Sequence, residues 1–238
     1  DMRQESDTNP PALLSEEGIA RWQIANNKTL LPADSEELRT LIDLLTKTDD
    51  EEFARRASYL IDLEKFYAWE MISVLAASAH QDDYWNLVMV FNSVTGRFEF
   101  IPWDVDTDLD SRYAAQFLRE PVTVIAKRIL SIPRFRAEYR KRLAAYVNDP
   151  KNLEDDLRFY NGLFKNTRIG FYKDNAKFFS TLEFRRQVRA YQKAVTSHFE
   201  RIRGALAQNE GAEYRFIREE TSEAKFGENF SGLKQFSA

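Results

Sequence analysis

Hydrophobic positions change their spacing twice along the chain, and the changes mark its organisation. From residue 34 onward, Leu38, Leu41, Ile42, Leu44 and Leu45 fall on one stripe at three- and four-residue steps, behind Glu36 and Glu37. Acids in a first turn suit the positive end of a helix dipole, and Asp34 or Ser35 can cap it, so the spacing predicts a helix. "DDEEFARRASYL" repeats the signature, and "DLEKFYAWEMISVLAASA", led by Asp62, predicts a third and more buried helix. The period then shortens. "NLVMVFN" (86–92) and "RFEFIP" (97–102) are short and rich in β-formers, and the "SVTG" between them ends in a glycine suited to positive φ, which predicts a β-hairpin. Helical spacing returns in "PVTVIAKRILSIPRFRAEYRKRLAAYV", "NLEDDLRFYNGLFKN" and "RRQVRAYQKAVTSHFERIRGALA". Residues 211–238 read as a late strand or a tail. The pattern predicts an α+β chain, mostly α, around one central hairpin.

Composition narrows the class. The 238 residues are 43% hydrophobic and 13% aromatic, ample for a core. Thirty-four basic and 38 acidic residues are mixed along the chain, which argues against a nucleic-acid footprint. With no cysteine, disulfides, thiolate catalysis and thiolate-bound metals are excluded, while the redox compartment stays open. No apolar run approaches the ~18 residues of a membrane span. Residues 1–34 are mostly polar, carry Pro10, Pro11 and Pro32, and read as an extended arm or linker.

The chemistry gathers at the open end of the hairpin. Strand pairing is mirror-symmetric about the turn, so a turn centred between Val94 and Thr95 sets Asn86 opposite Trp103 and its amide beside the Asp104 carboxylate. Asp106, Asp108 and Asp110 follow Asp104, and Asp82 and Asp83 precede Asn86. Such oxygen ligands suit Mg²⁺, Mn²⁺ or Ca²⁺. The two histidines, His80 and His198, are too few for a histidine-rich site. An EF-hand is excluded because its sixth and twelfth positions would be Leu109 and Ala115 in place of Gly and Glu. An acid before a strand, an amide at its start and an acid after the return strand is also the layout of a phosphoryl-transfer site.

"HQDDYWNLVMVFNSVTGRFEFIPWDVDTDLD", preceded by "EEFARRASYLIDLEKFYAWEMISVLAAS", resembles the centre of the spore-coat-protein H (CotH) kinase family. The strand ending in Pro-Trp-Asp-x-Asp is the most specific element, and the likeness spans roughly residues 35–205. The resemblance implies an atypical protein-kinase-like fold, chiefly its helical C-lobe, that transfers the γ-phosphate of ATP to Ser or Thr of a protein with Mg²⁺ or Mn²⁺. It assigns Asn86 and Asp104 to the metal and nucleotide phosphates, and Asp106 to the second acid of the motif. The catalytic acid is expected five residues before Asn86, where this chain has Gln81; either the loop is one residue shorter and Asp82, followed by Asp83, takes the role, or the base is missing. Family members also carry a β-rich lobe that holds the nucleotide phosphates. This chain, with eight glycines and no phosphate-binding glycine loop, is expected to be a fragment in which residues 1–34 leave that lobe, 35–205 form the C-lobe and 206–238 extend it or form a tail. The resemblance also favours a spore coat, cell surface or secreted location.

Plainer expectations stand beside these. Trp85 and Trp103 are expected to pack in the core or against the hairpin, His80 to cap or hydrogen-bond locally, and His198 to be incidental. Asp108 and Asp110 are expected to face solvent or cap the next segment, and the basic helix "RFRAEYRKR" to be a solvated face. The competing function is a non-catalytic, pseudokinase-like surface or coat module that binds proteins and holds a structural cation; a metal-dependent hydrolase ranks below both.

Overall fold

The computed structural model describes residues 11–24, 28–29, 36–78, 80–105 and 121–208. Within them seven α-helices accompany two small antiparallel pairs, β1 (Gln23–Ile24) with β2 (Lys28–Thr29) and β3 (Val88–Asn92) with β4 (Arg97–Ile101), an α+β arrangement that is mostly α. Asp34, Ser35, Asp106, Asp108, Asp110 and the late strand or tail lie outside the described residues.

Helix α1 (Glu36–Lys47) buries the stripe expected of it, Leu38 through Leu45 at 0–6% exposure. Helix α2 (Asp50–Leu60) starts where the Asp49 carboxylate accepts from Glu52 N at 2.7 Å, and buries Phe53 and Ala57 one turn apart. It ends at Ile61, which bridges Phe98 of β4 in parallel, while Asp62 N donates to the Phe98 carbonyl at 3.0 Å. Asp62 then caps α3 (Leu63–Ala76) by accepting from Lys65 N. The hairpin edge is thus sewn to the junction between two helices. Alternation does the rest: Phe98 and Phe100 point inward at 5% exposure, and Phe100 meets Phe66 and Trp69 of α3 at ring separations of 5.5 and 5.2 Å. Aromatic contacts of this kind contribute about 0.5–1.5 kcal/mol beyond their burial.

The apolar run from 121 to 147 is two helices. Pro133 has no N–H and drives Ile132 into extended backbone, so α4 (Val124–Ser131) stops there and α5 (Pro133–Asn148) begins with the proline in its first turn. Phe135, Tyr139, Leu143 and Val147 repeat every four residues along the buried face of α5. Most arginines of "RFRAEYRKR" lie outside that face, although Arg142 pairs with Glu64 and Glu138 and lies over the Tyr67 ring. Helices α6 (Pro150–Lys173) and α7 (Thr181–Gln208) form a long antiparallel pair, and only the second half of α7 enters the core, through Phe199, Ile202, Ala205 and Leu206.

Two expectations are corrected. His198 is fully buried, with Nε2–H donating to the Val74 carbonyl at 2.8 Å, so it ties α7 to the last turn of α3. Burial holds its pKa below the ordinary histidine value, and the neutral ring serves as a packing group with one donor. Part of the proline-bearing arm also enters the core: Leu13, Leu14 and Ile19 are buried, and Trp22 Nε1 donates to the Leu13 carbonyl at 2.7 Å.

Arg128, at 1% exposure, clamps α4 onto the α1–α2 turn. Its Nη2 donates to the carbonyls of Thr48 and Asp49 at 2.9 and 3.0 Å, its Nη1 pairs with Asp50, and its guanidinium lies 4.5 Å from the Phe53 ring centre. Asp50 itself is 74% exposed, so the two carbonyls and the ring are the partners that burial makes expensive to lose. Arg128→Met should lower unfolding stability by about 3 kcal/mol, whereas Asp50→Asn should change it by less than about 1 kcal/mol. Urea titration followed by circular dichroism checks both, and equal effects would contradict the clamp.

Candidate functional site

The hairpin register is the one expected from the turn. Val88 pairs with Ile101 and Asn92 with Arg97, and Gly96 takes a φ of 66° at the tip. Asn92 Oδ1 accepts from Val94 N at 3.0 Å, which holds the turn from inside. Two residues beyond the paired ladder, Asn86 Nδ2 donates to Asp104 Oδ2 at 3.0 Å. The amide and carboxylate placed together by counting from the turn do meet. His80 adds a third polar group, with Nδ1 3.5 Å from the same carboxylate oxygen.

Asp104 sits at φ 50°, a left-handed backbone that Asp tolerates better than most residues because its short side chain can bond locally. The chain turns there, three residues past the end of β4, with the carboxylate in contact with Asn86. The neighbouring indoles correct the packing expectation: Trp85 is 66% and Trp103 60% exposed. Both lie beyond the ends of β3 and β4, where alternation against the helical face no longer applies, and they stand on the rim beside the two site residues.

Gln81 is the main residue whose role the sequence leaves unspecified. It is 2% exposed, and its amide spends both ends: Oε1 accepts from Ser73 Oγ at 2.6 Å, and Nε2 donates to the Trp103 carbonyl at 3.4 Å. This amide bridges the last turns of α3 to the residue just before Asp104. A carboxylate in its place would face the Trp103 carbonyl with no proton to give, so glutamine matches the position chemically. A neutral amide between His80 and an acidic pair is the only signal of this in the sequence.

Asp82 and Asp83 diverge. Asp82 is half-buried and its Oδ1 accepts from Tyr84 N and Trp85 N at 2.9 and 2.8 Å, an Asx turn that starts the approach to Asn86. Asp83 is buried at 7% exposure, its two oxygens 2.9 and 2.8 Å from Val124 N, so it caps α4 together with Thr123, whose Oγ1 accepts from Ala126 N. Its backbone carbonyl accepts from Leu13 N as well, which brings the N-terminal segment to the same spot. No local pattern could announce a cap reaching across 41 residues.

The described residues fit a cation only in part. One carboxylate and one amide are hard oxygen donors of the type Mg²⁺ or Mn²⁺ takes when phosphates and water complete its shell. No group of three or more histidine and acidic side chains comes together to hold a metal among the described residues, and Asp106 is outside them.

Burial pushes the Asp83 carboxyl up to about 7, against the opposing pull of Val124 N–H and the Lys127 charge. The unfolded chain releases this proton near the ordinary carboxylate value and the folded chain keeps it until about 7, so stability falls as pH rises between those limits. Asp83→Asn keeps an oxygen for Val124 N–H and carries no titration. Between pH about 4 and 7 the wild type should lose stability relative to the variant by about 1.4 kcal/mol per pH unit. Urea unfolding across that range checks it, and parallel profiles would refute the buried, proton-holding cap.

Comparison with known proteins returns one family. The model of the CotH kinase protein family matches residues 15–201, a stretch that begins inside the N-terminal arm and takes in every helix up to α7 and the whole hairpin. No curated protein and no solved structure matches the chain. A match over most of the 238 residues, with the paired Asn86 and Asp104 at its centre, places this chain in the CotH kinase family.

Proposed function

We propose that this chain is the helical C-lobe portion of an atypical, metal-dependent protein kinase that moves the γ-phosphate of ATP to Ser or Thr of a protein. The observation that carries the reading is the 3.0 Å contact between Asn86 and Asp104 at the open end of the hairpin, inside the family match. A carboxylate and an amide from opposite strands form the kind of donor pair that binds a metal against nucleotide phosphates. Bound Mg²⁺ or Mn²⁺ would neutralise phosphate charge there, with Asn86, Asp104 and Asp106 as the protein donors. The hairpin brings the first two together beyond its open end, where Asp104 takes a left-handed backbone. His80 lies against the same carboxylate. Asp82 is assigned to orienting or deprotonating the acceptor hydroxyl, since one of its oxygens is engaged by the Tyr84 and Trp85 amides while the buried Asp83 carboxylate is committed to α4.

A second reading has one observation in its favour. The position at which the resemblance expects the catalytic acid holds Gln81, buried and bonded at both ends. That supports a non-catalytic module in which the same hairpin binds a protein partner and the acids hold a structural cation.

Incorporation of labelled γ-phosphate by the full-length protein, with Mg²⁺ or Mn²⁺, separates the two. The kinase reading expects Asp104→Asn to lower transfer by about 100-fold or more with an unchanged circular dichroism spectrum, and Asp82→Asn to lower it by a similar factor. Absence of transfer from the folded wild type with either metal would select the binding module. Full activity in Asp104→Asn would remove the proposed metal site.

A further inference from the structure

Helices α6 and α7 run out from the core as an antiparallel pair whose composition differs from the rest of the chain. Between residues 158 and 193 the only buried residue is Val188. An aromatic seam holds the pair together: Tyr160 stacks on Tyr191 at 4.5 Å, Phe171 on Phe184 at 3.6 Å, and Phe164 meets Phe184 at 5.6 Å. The seam uses the rings that face each other. Others lie outside it, at and near the turn between the helices: Phe178 is 103% exposed, Leu182 69% and Ile169 58%, while Phe179, 46% exposed, packs one side of its ring on Phe171 at 5.4 Å. Large apolar side chains clustered at a tip are uncommon on a monomer's surface and mark a contact with something else.

Charge says what that contact is. Residues 158–193 hold nine lysines and arginines against two acids, Asp174 and Glu183, in a chain of net charge −4. Part of this charge serves the hairpin itself. Lys177 Nζ donates to the Phe171 carbonyl at 3.0 Å, Arg185 Nε to the Tyr172 hydroxyl at 2.8 Å, and Arg186 pairs with Glu183. Lys165, Arg168, Lys173 and Arg189 stand exposed on the two helices.

We propose that the tip of the α6–α7 hairpin docks on the surface of an anionic lipid bilayer. Phe178, Phe179, Leu182 and Ile169 would enter the boundary between headgroups and acyl chains, and the surrounding basic side chains would meet lipid phosphates while their stems lie along the apolar surface. A convex tip with apolar residues at its end fits a fluid plane that closes around it, whereas an acidic protein would have to supply a matching cavity. No described helix is long and apolar enough to cross a membrane, and the proposed contact is with the bilayer surface alone. It is independent of phosphoryl transfer and stands or falls separately.

The absence of cysteine makes the test direct. A polarity-sensitive fluorophore attached through Phe178→Cys in the full chain should shift to the blue with phosphatidylglycerol–phosphatidylcholine vesicles and stay unchanged with phosphatidylcholine alone. The same label at Tyr59→Cys, an exposed position on α2, should not respond. Arg168→Glu with Lys173→Glu, or Phe178→Ser with Leu182→Ser, should weaken vesicle binding by about tenfold or more, and added salt should do the same. No shift with anionic vesicles would overturn the proposal. So would an equal shift with neutral vesicles, a shift that follows protein concentration without lipid, or one produced by polyglutamate and not by vesicles, which would assign the tip to an acidic protein.

Discussion

The five-pair ladder between β3 and β4 is the constraint on which the rest depends. Because side chains alternate across a strand, the register that sends Phe98 and Phe100 inward also determines which residues meet beyond its open end. A slip of one position would expose both phenylalanines and separate Asn86 from Asp104. Core and site are therefore coupled through one hydrogen-bond pattern. The apolar face makes the register stringent, and the polar pair inherits that stringency without stabilising the fold much itself.

The surroundings reinforce the ladder from three sides. The Ile61–Phe98 bridge and the Asp62 amide attach one edge to the α2–α3 junction, the Phe66, Trp69 and Phe100 rings hold the inner face, and Gln81 anchors the chain just after β4. Asp83 then connects this region to α4, and Arg128 connects α4 to the α1–α2 turn. Buried polar groups, each with specific partners, mark the joints between elements, while aliphatic and aromatic contacts fill the volume. Their placement gives the helices defined relative positions that interchangeable apolar packing would specify less sharply.

The same residues frame the tension in the functional reading. A hairpin that presents an amide and a carboxylate suits phosphate chemistry, yet the expected acid position is a glutamine built into the scaffold. A buried group satisfied at both ends is poorly placed to exchange protons with a substrate. If the family's reaction operates here, its base must come from a neighbouring residue, and Asp82 is adjacent to Gln81 and half-buried, in contrast to the enclosed Asp83.

Local order along the chain was enough to determine the α1 stripe, the acidic caps at Asp49 and Asp62, the hairpin with its Gly96 turn, and the meeting of Asn86 with Asp104, because each depends on spacing within one element or across one tight turn. The proline break at 132–133 was equally written in the chain, although apolar continuity masked it. What only the tertiary structure decided were contacts between distant segments: Asp83 with Val124, His198 with Val74, Arg128 with the Thr48 carbonyl, and the burial of Leu13 and Leu14. Exposure followed the same division. Trp85 and Trp103 look like core residues by type, but burial is a property of what lies opposite, and the ladder ends before reaching them. Sequence period reports which side of an element is apolar; which group a side chain finally meets depends on how the elements are assembled.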